Sequence, residues 1–382
     1  MNKFRLLIGK YTIGFLFVIA YLLVKFCEIL FFVKLKKNKK QGCNLCIEAG
    51  SLGWQSIEFK SLLESSIDYL GKDMVVKHEV IDKKKYFESL KNIIHLNRNI
   101  THYFYDWRTY GEENLKGVLM AFRIAIFFGI KGIVPIVLMT DGQSYPQRLI
   151  ASIVSALSGV VITFYDPSVM KLNGFPHNRI IGPTLFPLSK NRLSFIKQIK
   201  SQVKSQLNNN DFASFVGSLG RNAREAFIQS IKEKVELSGK EFRILSRNNK
   251  IERLPESEYF NNIISSKIVL TTICPETTGL FSQIGVNQCH LTYRFMEVLA
   301  SGSLLMSPLP AGVEKYFAPY KHFVPFDSEE DATSKILYYL NNENKRKKIA
   351  KEGEKKAKDI VNSQSYWLMI EAGLGPNGLK RM

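Results

Sequence analysis

Short apolar stretches rich in β-branched and aromatic residues alternate twice along this chain with longer stretches of helical period. Strand, helix, strand is the pattern of a parallel sheet held between helices, because parallel strands need a long crossover and the helix supplies it. In the first unit NLCIEAG reads as a strand stopped by Gly50, and GWQSIEFKSLLESSIDYLG as the helix after it. VVKHEVI and THYFYDW read as strands, NLKGVLMAFRIAIFFGI as a buried helix, and VPIVLMTDG as a strand stopped by Asp141 and Gly142. SYPQRLIASIVSAL reads as a helix and GVVITFYD as a strand that ends at Asp166. The segment NGFPHNRIIGPTLFPLSKN, with three prolines, reads as an extended exit, followed by the polar amphipathic helix RLSFIKQIKSQVKSQLNNND.

The second alternation opens with DFASFVGSLGR, a strand running into a Gly-containing loop. Helix NAREAFIQSIKEKVELSG, strand EFRILSR, helix PESEYFNNIISS and strand KIVLTTIC follow. After the loop CPETTGLFSQIGVNQC come helix LTYRFMEVLASG, strand SLLMSP and a short strand HFVPF, and two helices close the unit. A chain of 382 residues has room for two cores, so these alternations predict two α/β domains. The expected boundaries are 1–40 for an anchor and basic flank, 41–207 and 208–362 for the two domains, and 363–382 for a tail packing back on the first.

The anchor expectation comes from Tyr11 to Val33, which is almost continuously apolar and long enough to span a bilayer. Lys25 and Glu28 interrupt it three residues apart, as a pair on one helix face or a snorkelling lysine would allow. No small-residue cleavage pattern follows, and the flank LKKNKK is basic. Residues 1–40 carry nine basic side chains and one acid, a net +8 of the chain's +19. Because Lys and Arg are denser after the apolar run, the expectation is a membrane-associated protein with its domains on the cytoplasmic side. Much of the basic charge flanks the anchor and no nucleic-acid motif is present, so a nucleic-acid partner is not expected. Cys43 and Cys46 form a CxxC with no second ligand pair, which reads as buried strand cysteines in a reducing compartment.

Chemistry is concentrated on residues 291–308. On the helix Tyr293 to Ala300, Phe295, Val298 and Leu299 form one stripe, while Arg294, Glu297 and Ser301 share the other face. The helix follows a long loop and feeds a strand, and ligands of open α/β sheets collect beyond the carboxyl ends of strands. There a carboxylate can accept ribose hydroxyls and a guanidinium can clamp a phosphate. The Gly-containing loop after DFASFV suits phosphates through its backbone N–H groups, and His290 is a further donor-side phosphate contact.

YRFMEVLASGSLLMSP and the sequence after it, together with YFNNIISSKIVLTTICPETTG and FVGSLGRNAREAFI, resemble the donor half of group 1 glycosyltransferases of the GT-B fold. The likeness is nearest to the spore-coat-like and exostosin-like branches and covers roughly residues 212–360. It implies two Rossmann-like domains facing a cleft and a nucleotide-sugar site in the second. Glu297 would bind the donor ribose and Arg294 would lie beside the diphosphate, with Gly217, Gly220 and Arg221 in the phosphate-facing loop. The family's common E-x7-E pattern would place Glu at 289, where this chain has Cys289 followed by His290. The exostosin-like variant also lacks that first Glu.

The expected activity is sugar transfer from a nucleoside diphosphate sugar to a hydroxyl of a glycan or lipid-linked acceptor at the membrane. The alternative is a non-catalytic nucleotide- or glycan-binding protein of the same fold. No D-x-D occurs, so a metal-independent reaction with no cofactor is expected. P-loop, nucleophile-elbow and G-x-G-x-x-G signatures are absent too. The catalytic base should come from the first domain, with Asp141 the first choice and Asp106 and His102 next. Glu48 reads as structural and His322 as a packing residue.

Overall fold

The computed structural model describes residues 44–50, 55–80, 82–106, 115–139, 153–154, 159–164, 167, 180–204, 212–217, 219, 222–245, 254–271, 291–310, 312–375 and 379. The apolar run 11–33 lies outside them, as do Asp141, Gly220, Arg221 and His290. Among the described residues no helix is long and apolar enough to cross a membrane.

Two parallel sheets carry the molecule. The first orders its strands β2-β1-β3-β4-β5-β6, from β1 (Asn44–Gly50), β2 (Val75–Val80), β3 (Ile100–Asp106), β4 (Val134–Met139), β5 (Val160–Thr163) and β6 (Ile180–Ile181). The second orders β11-β10-β9-β7-β8, from β7 (Phe212–Val216), β8 (Glu241–Leu245), β9 (Ile268–Leu270), β10 (Leu304–Pro308) and β11 (Val324–Phe326). All pairings are parallel, and strand order reverses between β1 and β3 in one sheet and between β7 and β9 in the other. At such switch points the neighbouring helices cross to opposite faces and leave a crevice at the strands' carboxyl ends.

The strands are apolar on both faces because both are covered. In the first sheet Leu45, Ile47, Phe104, Ile136 and Leu138 pack against α1 (Gln55–Leu70). The alternate residues Cys46, Tyr103, Tyr105 and Val137 pack against α2 (Tyr86–Leu96) and α3 (Leu115–Lys131). Helix α2 has no counterpart in the strand-by-strand sequence reading, although Phe87, Leu90 and Ile94 carry its helical period. Strand β6 lies inside the segment read as an extended exit.

Packing bears on the domain boundary expected near residue 208. Helix α4 (Lys190–Lys204), assigned from sequence to the first domain, packs on the second sheet through Leu193, Ile196, Ile199 and Val203. There it meets α6 (Glu256–Ser265), α7 (Tyr293–Ser301) and α9 (Glu343–Asn362), while α5 (Asn222–Leu237) and α8 (Glu329–Asn341) cover the opposite face. The physical reason is that the proline-rich segment before α4, rather than the polar stretch after it, carries the crossing between sheets. The chain crosses back after α9. Helix α10 (Ser365–Leu374) joins the first sheet's core through Tyr366, Trp367, Ile370 and Leu374.

Helix ends are set locally. Ser328 caps α8 by accepting from the Asp331 N–H at 3.1 Å, with Glu329, Glu330 and Asp331 in the first turn. Gly302 ends α7 at φ 81°, a left-handed conformation that glycine adopts without a Cβ clash.

Candidate functional site

The two carboxyl edges meet near the start of α7. The Leu291 N–H donates to the Phe164 carbonyl just beyond β5 at 3.3 Å. The Tyr293 ring stands edge-on to Phe186, with centroids 5.4 Å apart. These contacts bring the first turn of α7 against the first sheet's carboxyl edge while its body stays buried in the second core.

Gly217 directly follows β7, at the switch point, and its N–H donates to the Leu245 carbonyl at 3.1 Å. The Arg294 guanidinium lies so close to it that an added Cβ would sit 2.5 Å from Nη2 and 2.7 Å from Cζ. The same guanidinium is 5.8 Å from the centre of the Phe215 ring. Two residues from distant parts of the sequence reading, Gly217 and Arg294, are thus brought together at the carboxyl end of β7. A half-buried cation at the carboxyl end of a strand, where a loop leads into a helix N-terminus, is suited to a phosphate group.

Glu297 turns inward from the helix and is 4% exposed. Arg192 Nη2 donates to Glu297 Oε1 at 2.9 Å, and the Tyr259 hydroxyl donates to Oε2 at 2.7 Å. Arg192 also donates through Nη1 to Glu256, and its guanidinium lies 5.0 Å from the Phe260 ring centre and 5.6 Å from that of Tyr293. Ser301, the third residue of that face, donates to the Glu297 carbonyl at 2.7 Å. The physical reason is the ion pair: a carboxylate carried into a core needs a charge partner and hydrogen bonds, and α4 and α6 provide both.

Protonation follows from these surroundings. Burial works against the Arg192 charge, but Tyr293, Glu297 and Glu256 outweigh it and raise the affinity for its proton. Burial and then the Glu297 carboxylate push the Tyr259 phenol well above its ordinary range, so it stays a donor. Arg192, Glu256 and Tyr259 were missed in sequence. A signal did exist for Arg192: it heads the stripe continued by Ile196, Ile199 and Val203, so a cation stands where the helix faces the core.

On the first sheet Asp106 ends β3 at the switch point beside β1 and is fully buried. His102 is placed differently from the sequence expectation. It pairs in register with Leu45 and Val134, at the amino ends of β1 and β4, and its Nδ1 is 2.9 Å from Thr101 Oγ1. Four residues of strand, about 13 Å, separate it from Asp106 and from the cleft. Glu48 accepts from the Tyr86 hydroxyl at 2.8 Å and the Tyr103 hydroxyl at 3.3 Å, on the face covered by α2. Burial and then the Glu48 charge raise both phenols well above their ordinary range. His322 accepts from the Ala318 N–H at 2.8 Å and stands edge-on to Phe317.

Comparison with known proteins agrees with this architecture. Residues 221–365 match the family model described as glycosyl transferase-like. Solved structures of the same fold include Anabaena HepE in complex with UDP and glucose, 10% identical with a TM-score of 0.55 over 85% of this chain and 99% of that one. Sucrose-phosphate synthase from Thermosynechococcus elongatus is 11% identical, with a TM-score of 0.51 over 86% and 97% of the two chains. A glycosyltransferase from Rickettsia africae is 10% identical, with a TM-score of 0.50 over 88% and 98%. No curated protein matches the sequence.

Proposed function

We propose that this chain, which has the fold of the solved glycosyltransferases and matches a glycosyl transferase-like model over residues 221–365, is a glycosyltransferase that transfers a sugar from a nucleoside diphosphate donor to a hydroxyl of a glycan or lipid-linked acceptor at a membrane, without a metal ion. The observation that carries this reading is the approach of Arg294 to Gly217 at the second sheet's switch point. A donor diphosphate beside Arg294 would also reach the amino-terminal turn of α5, which opens a few residues after Gly217. As the bond from sugar to diphosphate breaks, charge develops on the leaving phosphate, and a fixed guanidinium and backbone N–H groups stabilise it without reorganising.

In this reading Glu297 is a positioning residue. Held by Arg192 and Tyr259, it fixes the rotation of α7 about its axis, and so the direction in which Arg294 leaves the helix. Asp106 is the described carboxylate best placed for the base, since it stands at the first sheet's switch point. Asp141 retains its sequence-based candidacy. Uridine diphosphate is the nucleotide to try first, because HepE, which shares the fold, is seen with UDP and glucose. The membrane and the cytoplasmic side enter through the apolar run 11–33 and the basic residues after it.

The test is a thermal-shift series on the full chain with UDP, GDP and dTDP sugars, wild type beside Arg294→Ala. Stabilisation by one nucleotide series, lost in the variant, supports the donor site. Absence of a shift with every nucleotide in the wild type overturns it.

A further inference from the structure

The helices covering one face of the first sheet end outward in side chains that water does not favour. On α3, Leu119, Ile126 and Ile130 are 60%, 39% and 59% exposed, and Leu96 at the end of α2 is 78% exposed. Lys116, Leu119, Arg123, Ile126 and Ile130 recur at spacings of three and four, so they form one outward stripe, while Ala121, Ile124, Ala125 and Phe128 face the core. Helix α3, LKGVLMAFRIAIFFGIK, contains no acidic residue, and its charges are Lys116, Arg123 and Lys131. The Arg123 guanidinium rests 4.0 Å from the centre of the Phe87 ring, which holds it at the surface beside the apolar stripe.

Topology gives this face a direction. The strands are parallel and the helices return antiparallel to them, so the last turns of α2 and α3 lie at the edge where β3 and β4 begin. Asn44, the first residue of β1, enters at that same edge. Only residues 34–43 separate it from the end of the apolar run at Val33, a reach of at most about 35 Å fully extended. A bilayer that holds residues 11–33 therefore lies within reach of Ile130, Lys131 and Leu96.

We propose that the exposed stripe of α3, with Leu96, docks on an anionic lipid bilayer, its apolar side chains entering the headgroup region and its cations meeting lipid phosphates. The proposal rests on the membrane attachment read above. Charge selects the occupant: α3 carries three cations and no acid and α2 adds Lys91 paired with Glu88, so a second copy of this face would set like charge in excess against like, and the basic flank of residues 34–40 would repel it likewise, whereas a bilayer supplies the anions.

The experiment places a reporter on the full chain. Ile130→Trp is compared with Leu237→Trp, at an 88% exposed position on α5, using vesicles of mixed anionic and zwitterionic lipid with brominated acyl chains. The expected result is flotation of both variants with vesicles and quenching of the Ile130→Trp signal well beyond that of Leu237→Trp. Charge reversal, as Arg123→Glu with Lys131→Glu, is expected to reduce that quenching. Flotation with equal quenching of the two reporters overturns the docking face and leaves attachment standing. Failure of the wild type to float overturns both.

Discussion

Arg192 and Glu297, 105 residues apart in sequence, form an ion pair of 2.9 Å in which both side chains are nearly fully buried. The pair joins α4 to α7 behind the surface that carries Arg294. Removing one partner leaves the other charge buried, so Arg192→Met is expected to cost about 3–5 kcal/mol. Glu297→Gln added to Arg192→Met should recover part of it. Denaturant midpoints of the two single variants and the double variant check this, and single losses that simply add in the double variant would show that the pair is not coupled.

Gly217→Ala should displace Arg294 at some cost in stability. The new methyl meets the end of the Arg294 side chain, which can swing away, but φ at Gly217 is +157°, a conformation that side chains rarely adopt, so the unfolding midpoint is expected to fall where that of Arg294→Ala does not. Displaced from the switch point, Arg294 should lose its hold on a nucleotide, and the thermal shift with UDP should fall together with that of Arg294→Ala. Retention of the full shift would remove Arg294 from the site.

Asp106→Asn is expected to abolish sugar transfer while leaving the nucleotide shift intact, because a base acts on the acceptor and not on the donor. The measurement is turnover beside donor affinity. Loss of both would assign Asp106 to the architecture of the first sheet instead.

His78 introduces a pH dependence. Its ring nitrogens lie 2.5 Å from the Tyr103 hydroxyl and 2.8 Å from Ser89 Oγ, and burial lowers its pKa to about 4. The unfolded chain binds a proton near pH 6.5, so between there and pH 4 it holds more protons than the native state. Stability from this residue is therefore full above pH 6.5 and lost on acidification toward pH 4, by about 3 kcal/mol. Comparing unfolding midpoints of the wild type and His78→Gln across that range isolates the slope.

Trp367 is 1% exposed, and its Nε1 donates to Ser65 Oγ at 3.1 Å. Trp367→Ala is expected to cost about 3–5 kcal/mol, a value typical of a large aromatic removed from a core. Although the residue lies in the last helix, the loss should appear in the first sheet, as faster amide exchange in β3 and β4.

Periodicity exposed the two sheets because strands covered on both faces read as continuous apolar runs, as VPIVLM and VVIT do. Partners distant in sequence stayed hidden. Nothing near Glu297 announces that Arg192 and Tyr259 will meet it, and an i, i+3 relation to Arg294 fits an exposed pair equally well. Gly217 and Arg294 were legible separately, one as the glycine ending a strand and the other as a cation opening a helix. Their contact needed the fold. His102 and Asp106 look adjacent in THYFYDW, but an extended strand carries them to different edges of the sheet.

The crossing at Ser363 and Gln364 bears on the order in which a ribosome delivers this molecule. Strands β1 to β6 emerge first, yet their core lacks Tyr366, Trp367, Ile370 and Leu374 until the second sheet and its helices have been made. The second sheet, with α4 before it and α9 after it, is complete earlier. Synthesis thus begins one domain, finishes the other inside it, and only then closes the first.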